Sequence, residues 1–455
     1  MSSIIIIAIT AIVVLYLGLY KVKSALLPVS VLGLLGAAAS LVCVWDKNIS
    51  YFNDMLVFNN YAIAFSILLI ATTILIFLLS GNYFEKISSN VAEYYTILLF
   101  ALSGGVVMVS FQNMSMLFIG IEILSVSMYI MAGIKKTDSA SNEAALKYFL
   151  MGSFATGILL FGIALIYGAT GSFNLVQIAG KASEQPLLFY AGVIFMLIAM
   201  TFKVGVAPFH FWTPDVYQGA PTLVSSFMST VVKTAGFAAF LRLFGSAFTS
   251  VPAIWTVTLV VMVVLTLLIG NITAAFQQNV KRMLAYSSIS HAGYMLIAIL
   301  LLGQASPNAI LIYSVAYSIA SVASFGVMVA VKEQKGSDDL SAFNGLGRTN
   351  PVLAFVMTVA LCSLGGIPLT AGFFGKFYIF GVAIAANYTW LIAIAVLMAA
   401  VGIYYYFKVI IAMYLRESEN SESIQLSLAY KFVLIFCIMI TILLGIAPAL
   451  ITNIL

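Results

Sequence analysis

The stretch from Val193 to Phe244 decides the fold, and it reads VIFMLIAMTFKVGVAPFHFWTPDVYQGAPTLVSSFMSTVVKTAGFAAFLRLF. It contains two long apolar runs, each with a lysine near the middle, Lys203 and Lys233. A lysine at the centre of a membrane helix costs about 2.5–3.5 kcal/mol on insertion scales, so such a residue indicates a function. Pro208 lacks an N–H and clashes with the preceding turn, which predicts a helix break that frees backbone carbonyls beside an ionisable group. A charge beside a broken helix is typical of ion sites in transporters.

The composition is that of an integral membrane protein. Of 455 residues, 63% are hydrophobic and only 8% are charged, and the mean hydropathy is +1.12. Soluble domains carry about 25% charged residues. At about 20 residues per crossing, the chain has room for about fourteen helices and none for a soluble domain. Any redox cofactor or nucleotide is therefore expected on another protein. The first residues lack a basic segment and a cleavage site, so we interpret them as a retained helix.

The apolar runs predict an all-α fold of about fourteen transmembrane helices. The predicted spans, numbered 1 to 14, cover residues 3–20, 25–45, 60–80, 93–110, 114–133, 145–169, 187–207, 220–244, 252–272, 284–302, 307–331, 351–383, 388–414 and 428–452. Span 12 is too long for one crossing and contains Gly365, Gly366 and Pro368. We therefore predict that it is broken, like span 7.

The distribution of Lys and Arg predicts the orientation, because cytoplasmic loops are enriched in both. With both termini outside, the outer loops hold only Lys47, Lys181 and Arg242, and Lys203, Lys233 and Lys376 fall within spans. The inner loops then hold the other fourteen, Lys21, Lys23, Lys86, Lys135, Lys136, Lys147, Lys281, Arg282, Lys332, Lys335, Arg348, Lys408, Arg416 and Lys431.

Offset matches predict an internal duplication. Residues Phe111-Gln112, Ser125, Tyr129, Pro208, Gly236 and Arg242 recur roughly 165 positions later as Phe276-Gln277, Ser290, Tyr294, Pro368, Gly402 and Lys408. The predicted division is 1–92 (three helices), 93–245 (repeat A, spans 4–8), 252–415 (repeat B, spans 9–13) and 416–455 (span 14). Because five helices is an odd number, the second copy is expected upside down, as an inverted repeat.

Ionisable residues inside the spans predict proton transfer. Glu122 is the one acid deep in a span, and it shares a helix face with Ser125 and Tyr129. Burial disfavours a charged amine and a nearby carboxylate favours it, so moving Glu122 relative to Lys203 would bind or release a proton. A row of such groups joined by hydroxyls and water is a proton wire. The predicted members are Glu122, Lys203, Lys233, Lys376 and His291, which has Ser287, Ser288 and Tyr294 on its face.

Simpler interpretations compete for several of these residues. The polar stripe of span 11 is more typical of close helix packing, and His291 could simply bond a neighbouring carbonyl. We interpret His210 and Trp212 as structural or interfacial, and Glu122 with Lys203 could be a static ion pair. For Lys233 and Lys376 no spare acid is available in the spans, so function is favoured there. No phosphate loop, Ser-His-Asp arrangement or metal-ligand spacing is found, and the cysteines are expected to pack as small hydrophobes. The stripe consists of Ser314, Tyr317, Ser318, Ser321 and Ser324, and the cysteines are Cys43, Cys362 and Cys437.

Three stretches resemble a known family. They are KVGVAPFHFWTPDVYQGAPT (203–222), QQNVKRMLAYSSISHAGY (277–294) and GGIPLTAGFFGKFY (365–378). They are similar to the antiporter-like subunits of respiratory complex I and the related Mrp cation/proton antiporters, above all to the subunit N branch of bacterial NADH-quinone oxidoreductases. The resemblance covers nearly the whole chain. It implies fourteen helices, two inverted five-helix repeats, broken helices 7 and 12, a Glu122–Lys203 pair and functional lysines at 233 and 376.

The resemblance also separates branches of the family. The second proton-pumping subunit typically has a glutamate at the place of Lys376, and the largest subunit carries a lateral helix after helix 14, whereas this sequence stops at Leu455. Both are therefore disfavoured.

The branch implies a proton-translocating subunit in the bacterial inner membrane, coupled to quinone reduction elsewhere in the complex. NADH, FMN, iron–sulfur clusters and quinone are expected on partner subunits, with no cofactor in this chain. The expected partners are other membrane-arm subunits, including the other antiporter-like subunits and small helical subunits, and not nucleic acid. An Mrp-type sodium/proton antiporter subunit is the alternative function, and a structural spacer that moves no protons is a third.

Overall fold

The computed structural model describes residues 1–81, 83–87, 90–181, 186–303, 305–417, 423–452 and 454. In this part of the chain, thirteen helices are long and apolar enough to cross a membrane, and two shorter apolar helices make a further crossing as the halves of span 12. The prediction of an all-α fold with fourteen spans is confirmed. In chain order the helices are Ser2–Leu19, Lys23–Val42, Asn60–Ser80, Val91–Ser110, Met114–Ala132, Ser139–Thr170, Leu187–Val204, Thr222–Ala247, Pro252–Phe276, Val280–Leu300, Ser306–Lys335, Pro351–Gly365 with Ala371–Ala385, Thr389–Leu415 and Leu428–Ile446.

Short elements join the spans. A small antiparallel hairpin after span 2, with Ser50 opposite Val57, was not predicted. The short elements are the strands Ile49–Tyr51 and Leu56–Phe58, the helices Tyr83–Ile87, Leu175–Lys181, Trp212–Gly219, Leu346–Thr349 and Ala449–Thr452, and the 3-10 helix Leu340–Phe343.

The predicted breaks in spans 7 and 12 are both present, and both begin at a glycine. The first half of span 7 ends at Val204 because Gly205 adopts the left-handed conformation, with φ 72°. The first half of span 12 ends at Gly365 because Gly366 does the same, with φ 83°. Glycine takes this conformation without the clash that a Cβ would cause, so it is a common helix C-terminus. The helix of span 7 therefore already ends before Pro208 is reached.

The backbone pairing that precedes span 5 is repeated before span 10. The Met114 N–H donates to the Phe173 carbonyl at 2.9 Å, and the Val280 N–H donates to the Asp338 carbonyl, also at 2.9 Å. In each case the first residue of a span donates to a carbonyl in the loop that follows the next span.

Close helix packing is repeated as well. A Cβ added to Gly104 in span 4 would lie 2.7 Å from the Leu124 nitrogen, and one added to Gly270 in span 9 would lie 2.7 Å from the Ser290 nitrogen. Only glycine allows the two helix backbones to approach this closely.

A cation marks the end of the first helix in each copy. Arg242 Nη1 donates to the Val109 carbonyl at 2.8 Å, and Lys408 Nζ donates to the Ala275 carbonyl at 2.9 Å. The last carbonyls of a helix carry a partial negative charge, which a cation stabilises. Together with the two preceding matches, these contacts support a duplication of spans 4–8 as spans 9–13.

Replacing Gly270 with alanine is expected to lower the free energy of unfolding by about 1–3 kcal/mol, because the new Cβ overlaps the backbone of span 10. Gly157 in span 6 has nothing within 4 Å of the corresponding position, so Gly157→Ala should be neutral or stabilising by about 0.5–1 kcal/mol. Thermal unfolding of the detergent-solubilised protein measures both. Equal stability of the two variants would contradict the packing argument.

Candidate functional site

Lys203 lies in the last turn of the first half of span 7, and its amine donates to the Ser125 hydroxyl of span 5 at 2.7 Å. Glu122, one turn before Ser125, accepts instead from the Thr156 hydroxyl of span 6 at 2.8 Å. The ion pairs of the described residues do not include Glu122 with Lys203, although the carboxylate charge acts on the amine. The predicted pair is therefore brought close, with each charge held by its own hydroxyl.

A cavity of about 20 Å³ adjoins Lys203, and its walls also include Ser125, Tyr129 and Thr156. A site needs about 10–15 Å³ to hold one water molecule, together with polar groups to bind it. The space beside Lys203 therefore fits about one water between the hydroxyl that binds the amine and the hydroxyl that binds Glu122.

Lys233 lies in span 8 directly after a turn of π-helix, Met228–Val232. Its amine donates to the Ser288 carbonyl of span 10 at 2.5 Å and also to the Ser288 hydroxyl. One turn later, a Cβ added to Gly236 would lie 3.9 Å from the Lys203 Cγ. Spans 7 and 8 therefore pack against each other beside both lysines, with the Lys203 side chain next to Gly236, one turn after Lys233. Single π-turns are frequent at functional sites, and nothing in the residue types of this segment predicts one.

His291 is buried in span 10 and both ring nitrogens bond phenols. Nδ1 lies 2.6 Å from the Tyr313 hydroxyl and Nε2 lies 3.2 Å from the Tyr406 hydroxyl, which in turn bonds the Ser287 hydroxyl. The described contacts therefore differ from the simple carbonyl bond considered above. Tyr313 and Tyr406 were missed by the sequence reasoning, although each is a polar residue within an apolar span.

Lys376 lies in the second half of span 12 and reaches back to the first. Its amine donates to the Gly365 carbonyl at 2.7 Å and to the Leu364 carbonyl at 3.1 Å, and lies 4.9 Å from the centre of the Tyr294 ring. The carbonyls at a helix end have no partner within the helix. The arrangement predicted from Pro208, a lysine beside carbonyls freed by a break, is thus seen at span 12, while Lys203 uses a hydroxyl.

A second small cavity, of about 10 Å³, lies between His291 and the break in span 12, and its walls include Tyr313, Ser363 and Leu364. The Leu364 carbonyl is one of the two that bind Lys376. A cavity of about 10–15 Å³ is the least that holds a single water, and this one lies between His291 and a carbonyl that binds the Lys376 amine.

The three lysines that the sequence predicts within spans have neutral oxygens as their described hydrogen-bond partners. Lys203, Lys233 and Lys376 are only 9%, 3% and 7% exposed. A hydroxyl can donate or accept a hydrogen bond, so it suits an amine in either protonation state. The described ion pairs all involve other groups, Lys86–Glu333, Lys147–Glu143, Lys147–Asp215, Arg282–Asp215 and Lys332–Asp338. Among the residues that the structure describes, no group of three His, Cys, Asp or Glu could hold a metal ion.

Lys281 is a buried lysine that the sequence reasoning placed in an inner loop. It lies in the first turn of span 10, is 1% exposed, and donates to the carbonyls of Gln218 and Ala220, the former at 3.0 Å. It also lines a polar cleft of about 390 Å³ with Lys135 and Lys332. Lys281 is followed by Arg282, and two adjacent basic residues at the end of a span are typical of an inner loop. The sequence therefore did not indicate that Lys281 is buried.

The loop after the first half of span 7 is held by aromatic contacts. The Trp212 ring stacks on Tyr148 at 4.7 Å between centroids, and its N–H donates to the Phe202 carbonyl at 3.3 Å. The His210 ring packs on Phe211 at 4.4 Å, and burial lowers the pKa of His210. These contacts agree with a structural interpretation of both residues.

Asp215 ties the short helix Trp212–Gly219 to two spans. Its carboxylate accepts from Lys147 of span 6 at 2.7 Å and from Arg282 of span 10 at 2.9 Å. Burial alone would raise the pKa of Asp215, but the hydrogen bonds and charges of the two cations outweigh it, and the pKa is lowered. This cluster fixes the segment that follows the break of span 7.

Comparisons with known proteins agree with the architecture. Residues 111–402 match the family described as NADH:quinone oxidoreductase/Mrp antiporter, TM. NADH-quinone oxidoreductase subunit N of Cytophaga hutchinsonii is 46% identical over 92% of each chain. A chain of respiratory complex I from Thermus thermophilus is 32% identical with a TM-score of 0.84, over 99% of this chain and 98% of that one. A chain of the membrane-bound sulfane sulfur reductase, an archaeal respiratory membrane complex, is 27% identical with a TM-score of 0.91, over 99% and 95%.

Replacing Asp215 with asparagine is expected to destabilise the protein by about 1 kcal/mol at neutral pH, because two partly exposed ion pairs are lost. Since the folded-state pKa of Asp215 is lowered, its contribution is fully present above its ordinary pKa and disappears as the pH falls through the folded-state value. The unfolding temperatures of the two proteins should therefore converge at acid pH. Unfolding curves of the detergent-solubilised proteins across pH measure this, and a constant difference would contradict it.

Proposed function

This chain belongs to the family of antiporter-like membrane subunits of NADH:quinone oxidoreductases and Mrp antiporters, as a subunit N, and we propose that it translocates protons through its buried lysines. Its apolar spans and its relatives make it a multi-pass membrane protein of a respiratory complex. The complex is an oxidoreductase and translocase, of which this chain supplies part of the membrane arm.

The observation that carries the proposal is that the three lysines predicted within spans, Lys203, Lys233 and Lys376, are buried and have neutral oxygens as their described hydrogen-bond partners. A fixed carboxylate partner would hold a lysine permanently charged, whereas hydroxyls and carbonyls allow the proton to leave. A membrane protein that needed these positions only for packing would have apolar side chains there, because a buried charge is costly.

The proposed path begins at Glu122 and Lys203 and ends at Lys376. Movement of the Glu122 carboxylate toward Lys203 favours the ammonium, and movement away favours release of the proton. The separate hydroxyl partners of the two groups support an adjustable pair over a static one. The proton then passes by way of Lys233 toward His291.

His291 is the proposed relay in the middle of the path. It lies within the electrostatic influence of both Lys233 and Lys376. Its two phenol partners, Tyr313 and Tyr406, can each donate or accept a hydrogen bond, and an imidazole exchanges a proton at either nitrogen. The small cavity beside the span 12 break supports a water link onward to Lys376.

Coupling is proposed to arrive from outside this chain. Electrons pass from NADH to quinone on partner subunits that carry FMN and iron–sulfur clusters, and neighbouring membrane-arm subunits transmit the resulting change. This chain is proposed to hold no redox centre of its own. Its partners would be the other antiporter-like subunits and the small helical subunits of the arm.

An Mrp-type sodium/proton antiporter subunit is the alternative, since the matched family includes both kinds of protein. The 46% identity to a subunit N over 92% of each chain favours the oxidoreductase. Sodium-dependent proton flux in vesicles without NADH would favour the antiporter instead. A dry interior around Lys233 would favour a spacer that moves no protons.

We further propose the topology that the loop charges predict, with both termini outside and repeat B inverted relative to repeat A. The proposed boundaries remain 1–92, 93–245, 252–415 and 416–455. The matching contacts of Arg242 and Lys408 at the ends of spans 4 and 9 support this division.

Replacing Lys376 with alanine is expected to lower NADH-driven proton pumping to about a tenth of the wild-type rate or less, because a serial path loses one of its proton carriers. Pumping is measured in inverted membrane vesicles with a pH-sensitive dye. The matched control is Lys431→Ala, which removes an exposed lysine from span 14 and should leave pumping unchanged. Full pumping by the Lys376 variant would refute the role given to this residue.

The topology predicts that a membrane-impermeant maleimide labels Cys43 from outside, because this free, exposed thiol follows the outer end of span 2. In a Cys43→Ser background, Gln334→Cys at the exposed inner end of span 11 should be labelled only in inside-out vesicles. The reverse pattern would show that the orientation is wrong.

A further inference from the structure

A cavity of about 670 Å³ opens where spans 3 and 11 begin and spans 8 and 10 end. In the proposed topology this is the outer face of the membrane. Its walls include Asn59, Tyr61, Gln112, Arg242, Ser246 and Thr249. None of the described residues that line it is acidic. The cavity is not lined by any of the proposed proton carriers, Glu122, Lys203, Lys233, His291 and Lys376, and the proposed pumping does not use it.

Arg242 is the one charged residue in this described lining, and it is 7% exposed. Its guanidinium donates to the Val109 carbonyl at 2.8 Å, to the Gln112 side-chain oxygen at 3.2 Å and to the Val57 carbonyl at 3.5 Å. It also lies 5.9 Å from the centre of the Tyr61 ring, and all four partners are neutral. A guanidinium carries five N–H donors, so Arg242 keeps both a full positive charge and the capacity to bond a ligand.

The start of span 11 adds positive potential to the cavity. The helix begins at Ser306, Pro307 lines the cavity, and the residue before the helix, Ala305, supplies no side-chain cap. The N-terminus of a long helix carries a partial positive charge and favours an anion. Arg242 and this helix end therefore make the cavity electropositive from two sides.

We propose that this cavity binds a phosphate-bearing anion through Arg242, either the headgroup of an anionic phospholipid or inorganic phosphate. The planar guanidinium matches two phosphate oxygens at once. Phosphate groups are the prevailing anions at a membrane surface, and the volume is far larger than a single halide requires. Ser246 and Thr249 also line the cavity, and a hydroxyl is a hydrogen-bond donor suited to a phosphate oxygen.

Lys408 provides a matched control for a purely structural role of Arg242. Both cations donate to the final carbonyls of a helix, Val109 in one copy and Ala275 in the other. Lys408 does not line this cavity. If the anion binds in this cavity, replacing Arg242 will therefore weaken anion binding and replacing Lys408 will not.

The test measures binding to the purified full-length chain by native mass spectrometry from nanodiscs of phosphatidylglycerol and phosphatidylcholine, with inorganic phosphate as competitor. Arg242→Gln should weaken phosphatidylglycerol or phosphate binding by about tenfold or more, since a charge-assisted hydrogen bond is lost. Lys408→Gln should stay within about twofold of wild type, and Arg242→Lys should restore part of the affinity. Displacement of the lipid by phosphate, or phosphate binding alone, identifies the free anion. Its failure to compete identifies the headgroup.

Gly245→Leu supplies a second variant, in case loss of Arg242 prevents folding. It places a side chain in the cavity while leaving Arg242 and its partners in place, since a Cβ at Gly245 meets only the Leu302 side chain, at 3.6 Å. It should abolish binding like Arg242→Gln. The proposal is overturned if wild type binds neither probe more tightly than phosphatidylcholine, if Arg242→Gln and Lys408→Gln weaken binding equally, or if Gly245→Leu binds normally.

Discussion

An amine in a bilayer must find oxygen partners inside the protein, and the fold is arranged around that requirement. Water is absent from the hydrocarbon region, so each unsatisfied polar group there costs several kcal/mol. Lys203 and Lys233 find the hydroxyls of Ser125 and Ser288, while Lys376 finds the carbonyls of Leu364 and Gly365. Because these described partners are neutral, they do not hold the proton as a contact ion pair would, which is what the proposed proton transfer requires.

Each of the three lysines lies beside an irregular point in a helix. The left-handed Gly366 ends a helix in mid-span, so the two carbonyls that Lys376 uses lie at a helix end. The π-turn Met228–Val232 directly precedes Lys233, whose amine bonds Ser288 of span 10. Close glycine contacts, such as Gly270 against span 10, bring the helices near enough for side chains to reach across. Close helix packing and helix breaks thus together place oxygen atoms within reach of the buried amines.

Sequence reasoning predicted the spans and the breaks well because both follow from strong local signals. Length and hydropathy set the spans, and glycine or proline in an apolar run sets a break. It did not predict the partners of His291, because Tyr313 and Tyr406 come from spans 11 and 13 and meet His291 only in the folded chain. It placed Lys281 in a loop because a basic pair at a span end is the usual sign of an inner loop.

The separation of Glu122 from Lys203 could not be predicted either. The sequence places the two charges at similar depth, and attraction between opposite charges favours a direct pair. In the structure Glu122 accepts from the Thr156 hydroxyl of span 6, and Lys203 donates to the Ser125 hydroxyl of span 5. Whether a charged side chain bonds a hydroxyl or an opposite charge depends on the positions of individual side-chain atoms, which the sequence does not give.

The central claim is that the buried lysines are joined by mobile protons, and a high-resolution density map of the intact complex in lipid tests it most directly. The account predicts ordered water in the small cavities beside Lys203 and beside His291, hydrogen-bonded to the hydroxyls and carbonyls that bind the amines. A map in which apolar side chains fill both cavities, and seal Lys233 from its neighbours, would contradict it.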